Sequence, residues 1–164
     1  NKAQTAEIMS IFKELRTPFI VNQPSYSMLN RWIESDGLRD FAAEQGIGLS
    51  VFSPLYQGLL TDRYLNGIPS DSRIATDGRF LKASQLTEEK ITSIRGLNEI
   101  AKERGESLAQ MALNWVLKDG IVTSVLVGAS KPEQILDNLK VLESAPFTDE
   151  ELKKIDALSL VHAK

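Results

Sequence analysis

The sequence predicts an α/β protein with a small parallel sheet, and three observations lead to this prediction. Helix-like and strand-like segments alternate along the 164 residues, as they do where helical crossovers join parallel strands. The strand-like runs are almost continuously apolar, which is typical of strands covered on both faces. Three strands alone would leave two open sheet edges with unpaired backbone groups. We therefore expect these strands to form part of a larger or closed sheet.

The first half of the chain predicts a helix, a strand, a helix and a strand. Apolar residues recur at helical spacing over 3–15, which predicts the first helix. Short apolar runs predict strands over 19–23 and 47–52. Between them, 37–45 is predicted to be a helix that ends at Gly46.

The second half begins with a long polar stretch, 55–86, which is rich in Gly, Ser, Asp and Arg. We interpret it as a loop, and loops of this length in compact domains are usually functional. Helices are predicted over 87–104 and up to 119, followed by a third strand over 123–128 and two further helices. Side-chain pairs that could form capping boxes mark the helix starts; they are Ser107 with Gln110, Ser130 with Glu133, and Thr148 with Glu151.

Composition excludes several kinds of function. The net charge of −3 argues against a nucleic-acid or anionic-membrane partner. The chain has no cysteine and one histidine, so thiolate and histidine-rich metal sites are not expected. No apolar stretch reaches the roughly 20 residues of a membrane span, and no signal peptide is visible. We expect a single domain over 1–164 in the cytoplasm.

Candidate ligand-binding residues follow the ends of the three strands, because parallel α/β folds bind ligands there. After the third strand, Gly128 could allow close approach of a ligand, and a helix start presents free N–H groups that suit a phosphate. Ser130 could alternatively be only a helix cap. Phe52 could offer its ring to a flat ligand or belong to the core. Gln23 could bind a carboxamide or be an interior amide satisfied by backbone.

Three stretches together resemble the C-terminal half of the aldo-keto reductase family. They are NQPSYSMLNR (22–31), FSPLYQGLLTDRYLNGIPSDSR (52–73) and VLVGASKPEQILDN (125–138). The resemblance is strongest to the branch of bacterial glyceraldehyde 3-phosphate or methylglyoxal reductases and potassium-channel β-subunits. It implies the last three strands, with their helices, of a (β/α)8 TIM barrel that uses NADP(H) to reduce small aldehydes or ketones.

The resemblance also implies cofactor-binding roles at matching positions. Gln23 would hold the nicotinamide carboxamide and Phe52 would stack on the nicotinamide ring. Arg63 and Arg73 would reach over the cofactor from the long polar stretch. The pyrophosphate and ribose would be lined by Ser53, Pro54, Leu55 and Gln57. The adenosine end would be held by Gly128, Ser130, Gln134, Asp137 and Asn138.

Three of these positions depart from the family pattern: other members have Trp or Tyr where this chain has Phe52, and the family more often has Lys where this chain has Arg63. Gln134 stands where many relatives have an arginine for the 2′-phosphate of the cofactor. Lys131 and Arg73 remain as candidates for that phosphate, and the choice between NADP and NAD stays open.

The family's catalytic Asp, Tyr, Lys and His come from the first half of its barrel, and no segment here matches them. We therefore expect no catalytic residue in this chain and no reductase turnover by the chain alone. The favoured reading is a portion of a full reductase, completed by an N-terminal half or a partner chain that also shapes the carbonyl site. The alternatives are a non-catalytic half-barrel that binds nucleotide or protein, perhaps as a homo-oligomer, and a scaffold unit without a function of its own.

Overall fold

The computed structural model describes residues 1–70, 72–76 and 81–162, and it contains a three-stranded parallel sheet flanked by helices. The strands are β1 (Val21–Asn22), β2 (Gly48–Phe52) and β3 (Val122–Leu126). The helices are α1 (Lys2–Glu14), α2 (Trp32–Ser35), α3 (Leu38–Gln45), α4 (Arg73–Thr76), α5 (Glu88–Glu103), α6 (Leu108–Leu117), α7 (Pro132–Leu139) and α8 (Asp149–Ser159). The prediction of an α/β fold with three parallel strands is confirmed.

The sheet has the order β1-β2-β3, with β2 in the middle. Val21 pairs with Gly48, and Phe52 pairs with both Leu126 of β3 and Ser25, which follows β1. All three strands point the same way, so their carboxyl ends lie along one rim. This register fixes where the loops after the strands meet.

The helix starts follow local signals in the sequence. Ser107 and Gln110 form the predicted capping box of α6, and Thr148 and Glu151 form that of α8. Gly46 ends α3 with φ 67°, a left-handed conformation that glycine adopts without steric cost.

The start of α7 differs from the prediction. The helix begins at Pro132, and its N-cap position is Lys131 rather than Ser130. The Gln134 side chain, not that of Glu133, folds back: its Oε1 accepts hydrogen bonds from the backbone N–H groups of Ser130 at 2.8 Å and Lys131 at 3.3 Å. Gln134 is one turn into the helix and can therefore satisfy donors that a serine cap would leave open.

The long polar stretch is not a featureless loop. Its described residues include 3₁₀ turns at Tyr56–Gly58, Asp62–Tyr64 and Ala83–Gln85, together with the short helix α4. Leu59, Leu60 and Tyr64 from this stretch are buried, so it is anchored to the core by apolar side chains.

The core lies between the sheet and helices α3, α5, α6 and α8. Ile94, Leu97 and Ala101 of α5 are buried, as the helical spacing predicts. The apolar face of α1 behaves differently, because Ile8 and Ile11 are exposed. Across the described parts of the chain, no helix has the length and apolar character needed to cross a membrane.

Candidate nucleotide-binding cleft

A large open cleft of about 1570 Å³ lies at the carboxyl-terminal rim of the sheet. We call it the rim cleft. One wall is the chain that follows β2, the second is the α5–α6 junction, and the third is the end of β3 with the start of α7. Its lining includes these predicted cofactor residues: Phe52, Ser53, Pro54, Leu55, Gln57, Arg63, Gly128, Ser130, Gln134, Asp137 and Asn138.

Two of the predicted residues are not part of this lining. Gln23 is exposed just after β1 and does not line the rim cleft. Arg73 begins α4, but its side chain lies outside the described part of the structure. Lys131, the sequence-based candidate for the 2′-phosphate, is exposed and also lies outside the lining.

The wall after β2 has an unusual backbone. Ser53, Tyr56 and Gln57 have φ values of 57°, 44° and 59°, in a region that non-glycine residues rarely adopt. The Gln57 amide donates a hydrogen bond to Ser53 Oγ at 3.2 Å, which closes the turn. Such conformations cost about 1–3 kcal/mol each and cluster at functional sites. Phe52, immediately before the turn, is 42% exposed and presents its ring at the rim.

The wall formed by α7 is held in place by α6. The Gln110 side-chain amide donates to the Asp137 backbone carbonyl at 3.1 Å and to its carboxylate at 2.9 Å. Lys140 also donates to the Asp137 carboxylate, at 3.0 Å. Nothing lies within 4 Å of the position that a Cβ of Gly128 would occupy, so the chain there is open to a ligand.

Sequence reasoning missed the α5–α6 wall. Asn98, Lys102, Glu106 and Ser107 all line the rim cleft. The sequence predicts only a helix-capping role for Ser107, and it assigns no role to Asn98, Lys102 or Glu106. The available signal was their position at a helix–helix junction, but nothing in the sequence shows that this junction folds over the strand ends.

The rim cleft thus contains an aromatic face, several amides and hydroxyls, and the cations Arg63, Lys102 and Lys140. This combination suits a ligand with flat rings joined by phosphates, because cations bind phosphate oxygens and aromatic faces bind flat rings. In the described residues, no group of three or more acidic or histidine side chains could hold a metal ion.

A parallel α/β sheet with a cleft at its carboxyl rim is common to (β/α) barrels and to open α/β sheets. The chain belongs to the aldo/keto reductase family, whose model matches residues 1–160. It is 49% identical over 156 residues to an L-glyceraldehyde 3-phosphate reductase of Escherichia coli O157:H7, covering 93% of this chain and 45% of that protein. It is also 40% identical to a probable voltage-gated potassium channel subunit beta of Oryza sativa subsp. japonica, covering 85% of this chain and 43% of that protein.

Solved structures agree with this assignment. A glycerol dehydrogenase from Gluconobacter oxydans superposes with a TM-score of 0.75 at 30% identity, covering 95% of this chain and 46% of that structure. A thermostable aldo-keto reductase in complex with the inhibitor epalrestat superposes with a TM-score of 0.65 at 27% identity, covering 92% and 43%. The chain therefore spans less than half the length of these relatives and corresponds to the C-terminal part of their TIM barrel.

Proposed function

We propose that this chain is the NADP(H)-binding portion of an aldo-keto reductase that reduces small aldehydes or ketones by hydride transfer. The observation that carries the proposal is the rim cleft, where one continuous surface gathers side chains from three separated sequence stretches. Its volume exceeds the range of about 300–1,000 Å³ that is usual for small-ligand pockets, which leaves room for an extended dinucleotide.

In this proposal, the bound cofactor supplies the hydride, and the chain binds and orients it. Phe52 offers its ring face to the nicotinamide, and Arg63 lies near enough to the same wall to contact the phosphates. Asp137 and Asn138 take the adenosine end. Gln134 occupies the N–H groups at the start of α7, so a phosphate at that position must compete with its side-chain oxygen. Strong discrimination between NADP and NAD is therefore not expected from α7.

The proton donor and its supporting residues are proposed to come from the remainder of the barrel, as the family resemblance implies. Four exposed apolar residues support such a complement, because they lie beside β1 and β3, the outer strands of the sheet in the described part of the chain. Ile20 and Val21 lie at the β1 edge, and Leu126 and Val127 lie at the β3 edge. Exposed apolar surface of this kind marks contact sites.

The same edges also favour a second candidate function, a non-catalytic half-barrel that binds nucleotide and pairs with another chain or a second copy. The two candidates share the rim cleft and differ only in turnover. Mixing the chain with NADPH and glyceraldehyde and following absorbance at 340 nm, first alone and then with the remainder of the barrel added, addresses this difference, because only the first candidate predicts turnover after the addition. We expect no oxidation by the chain alone, and clear turnover would contradict the proposed division of labour.

Cofactor binding is tested by calorimetric titration with NADPH and NADH. Replacing Phe52 with Ala should weaken binding by a factor of about 2–12, because an aromatic stacking contact is worth about 0.5–1.5 kcal/mol. Ile68→Ala is the matched control, since Ile68 is similarly exposed but does not line the rim cleft. Absence of heat with both cofactors, or equal effects of the two substitutions, would refute the assignment of the rim cleft.

A further inference from the structure

Asn98 of α5 places an uncharged amide where the core meets the rim cleft. The residue is only 8% exposed, and it lines the rim cleft. Lys102 lies one helical turn further along the same face of α5 and also lines the cleft. The face of α5 that carries these two residues is therefore the one turned towards the cleft.

The Asn98 side chain makes no hydrogen bond with the residues that the structure describes. Its two polar atoms nevertheless keep some accessible surface, so the amide is open to the cleft. Nearly all buried polar groups in proteins are hydrogen-bonded, because a buried amide without a partner costs free energy. An unpaired but accessible amide in the wall of a cleft is thus suited to bind a ligand.

Two contacts relate this part of α5 to the other walls of the rim cleft. Arg95 donates a hydrogen bond through Nη2 to the Leu65 carbonyl at 2.9 Å, which ties α5 to the chain after β2. Beyond the end of α5, the Ser107 hydroxyl lies 3.5 Å from the Asp137 carboxylate of α7. Asn98 therefore lies on the wall between the chain after β2 and the part of α7 where the adenosine end of the cofactor is proposed to bind.

The chemistry of the amide indicates which group of the cofactor it suits. An asparagine amide presents an N–H donor beside a carbonyl acceptor. Adenine presents the complementary pair, an amino donor beside a ring nitrogen, and asparagine forms two hydrogen bonds with it in this way. A phosphate fits less well here, because the Lys102 ammonium on the same face is already 2.8 Å from the Glu99 carboxylate.

We propose that Asn98 is a specificity-determining residue that hydrogen-bonds the adenine base of the cofactor. The inference rests on the proposed function, since it requires a dinucleotide in the rim cleft. It adds a contact from α5 to the adenosine contacts proposed for Asp137 and Asn138. It also gives the cleft a means of selecting dinucleotides whose base carries the amino group.

The test compares the affinities of the chain for NADP and for etheno-NADP, in which a two-carbon bridge across the adenine edge removes the amino N–H groups. Calorimetric titration gives the ratio of the two dissociation constants. Asn98→Leu removes the amide at similar volume, and Asn98→Ala removes it without adding bulk. Asn114→Leu is the matched control, because Asn114 lies outside the cleft lining and its Nδ2 donates to the Ala145 carbonyl at 3.0 Å.

We expect the chain to bind NADP more tightly than etheno-NADP. Each Asn98 substitution should reduce this preference by a factor of about 2–12, which corresponds to one hydrogen bond, and Asn114→Leu should leave it unchanged. A preference that both Asn98 substitutions leave unchanged would overturn this inference alone. Absence of NADP binding to the unsubstituted chain would overturn the proposed function with it.

Thermal unfolding without cofactor separates this role from a structural one. Asn98→Leu should not lower the Tm, because it replaces an unpaired buried amide with an apolar group of similar size. Asn114→Leu should lower the Tm, because it breaks a hydrogen bond. Equal losses of Tm in the two variants would overturn the inference, since the Asn98 amide would then serve the fold.

Discussion

Gln110 connects helix formation with the geometry of the rim cleft, and its replacement gives the sharpest test of this structure. The side chain is nearly buried, at 8% exposure. It accepts a hydrogen bond from Ser107 N at 3.0 Å and donates two to Asp137. Gln110→Leu removes all three bonds while preserving most of the side-chain volume.

The expected cost follows from these contacts. Each hydrogen bond contributes about 1 kcal/mol net, and the added apolar burial of leucine offsets part of the sum. We therefore expect the free energy of unfolding to fall by about 2 kcal/mol, taking the three bonds together with this offset. For a domain of this size, the loss corresponds to a Tm lower by about 4–8 °C. Ser107→Ala removes the cap acceptor for Gln110 N and one long hydrogen bond of 3.5 Å from Ser107 Oγ to Asp137, and it should cost about 1 kcal/mol.

Urea unfolding followed by circular dichroism measures both variants. Gln45→Leu is the matched control, since Gln45 is exposed on α3 and such surface substitutions usually change stability by less than about 0.5 kcal/mol. If Gln110→Leu costs no more than Ser107→Ala, the bonds to Asp137 do not hold α7 against α6, and the reasoning is wrong.

Two further predictions concern stability. Arg16 is exposed with φ 53°, so Arg16→Gly should raise the free energy of unfolding by about 1 kcal/mol. Lys13→Gly, inside α1, should instead lower the free energy of unfolding by about 1 kcal/mol. Equal effects of the two substitutions in urea unfolding would contradict this prediction. Burial acts to raise the pKa of Glu151, but hydrogen bonds from Thr148 and Arg104 outweigh it and hold the pKa below 4.5. This stabilisation is present above pH 4.5 and is lost as the pH falls through the lower folded pKa. Glu151→Gln should therefore flatten the pH dependence of the free energy of unfolding between pH 5 and 3. An unchanged slope of that free energy against pH would refute the prediction.

Local chemistry made much of this fold predictable. The capping boxes at Ser107 and Thr148 and the glycine at the end of α3 act within a few residues, so the sequence alone contains them. Strand direction and the shared rim followed from the alternation of helices and strands. The start of α7 was predicted wrongly because Gln134 reaches back to the same donors from farther along the chain.

Features that depend on distant contacts were not predictable in this way. Helical spacing identified an apolar face on α1, but it did not show that Ile8 and Ile11 are exposed here. Lys102 and Glu106 line the rim cleft only because the α5–α6 junction packs beside the ends of β2 and β3. The contact between Lys118 Nζ and the Tyr26 hydroxyl likewise joins residues that lie 92 positions apart in the chain.

The arrangement of the rim cleft allows cofactor binding and catalysis to be studied separately. Its walls, from Phe52 through the α5–α6 junction to Asn138, all come from this chain. The proposed proton donor comes from elsewhere in the barrel. A change to the walls should therefore act on cofactor affinity even when turnover is absent, whereas adding the remainder of the barrel should restore turnover and leave the wall contacts in place. In the proposed assembly, burial of the exposed apolar residues beside β1 and β3 would favour association, because burying one such side chain contributes about 1.5–3 kcal/mol.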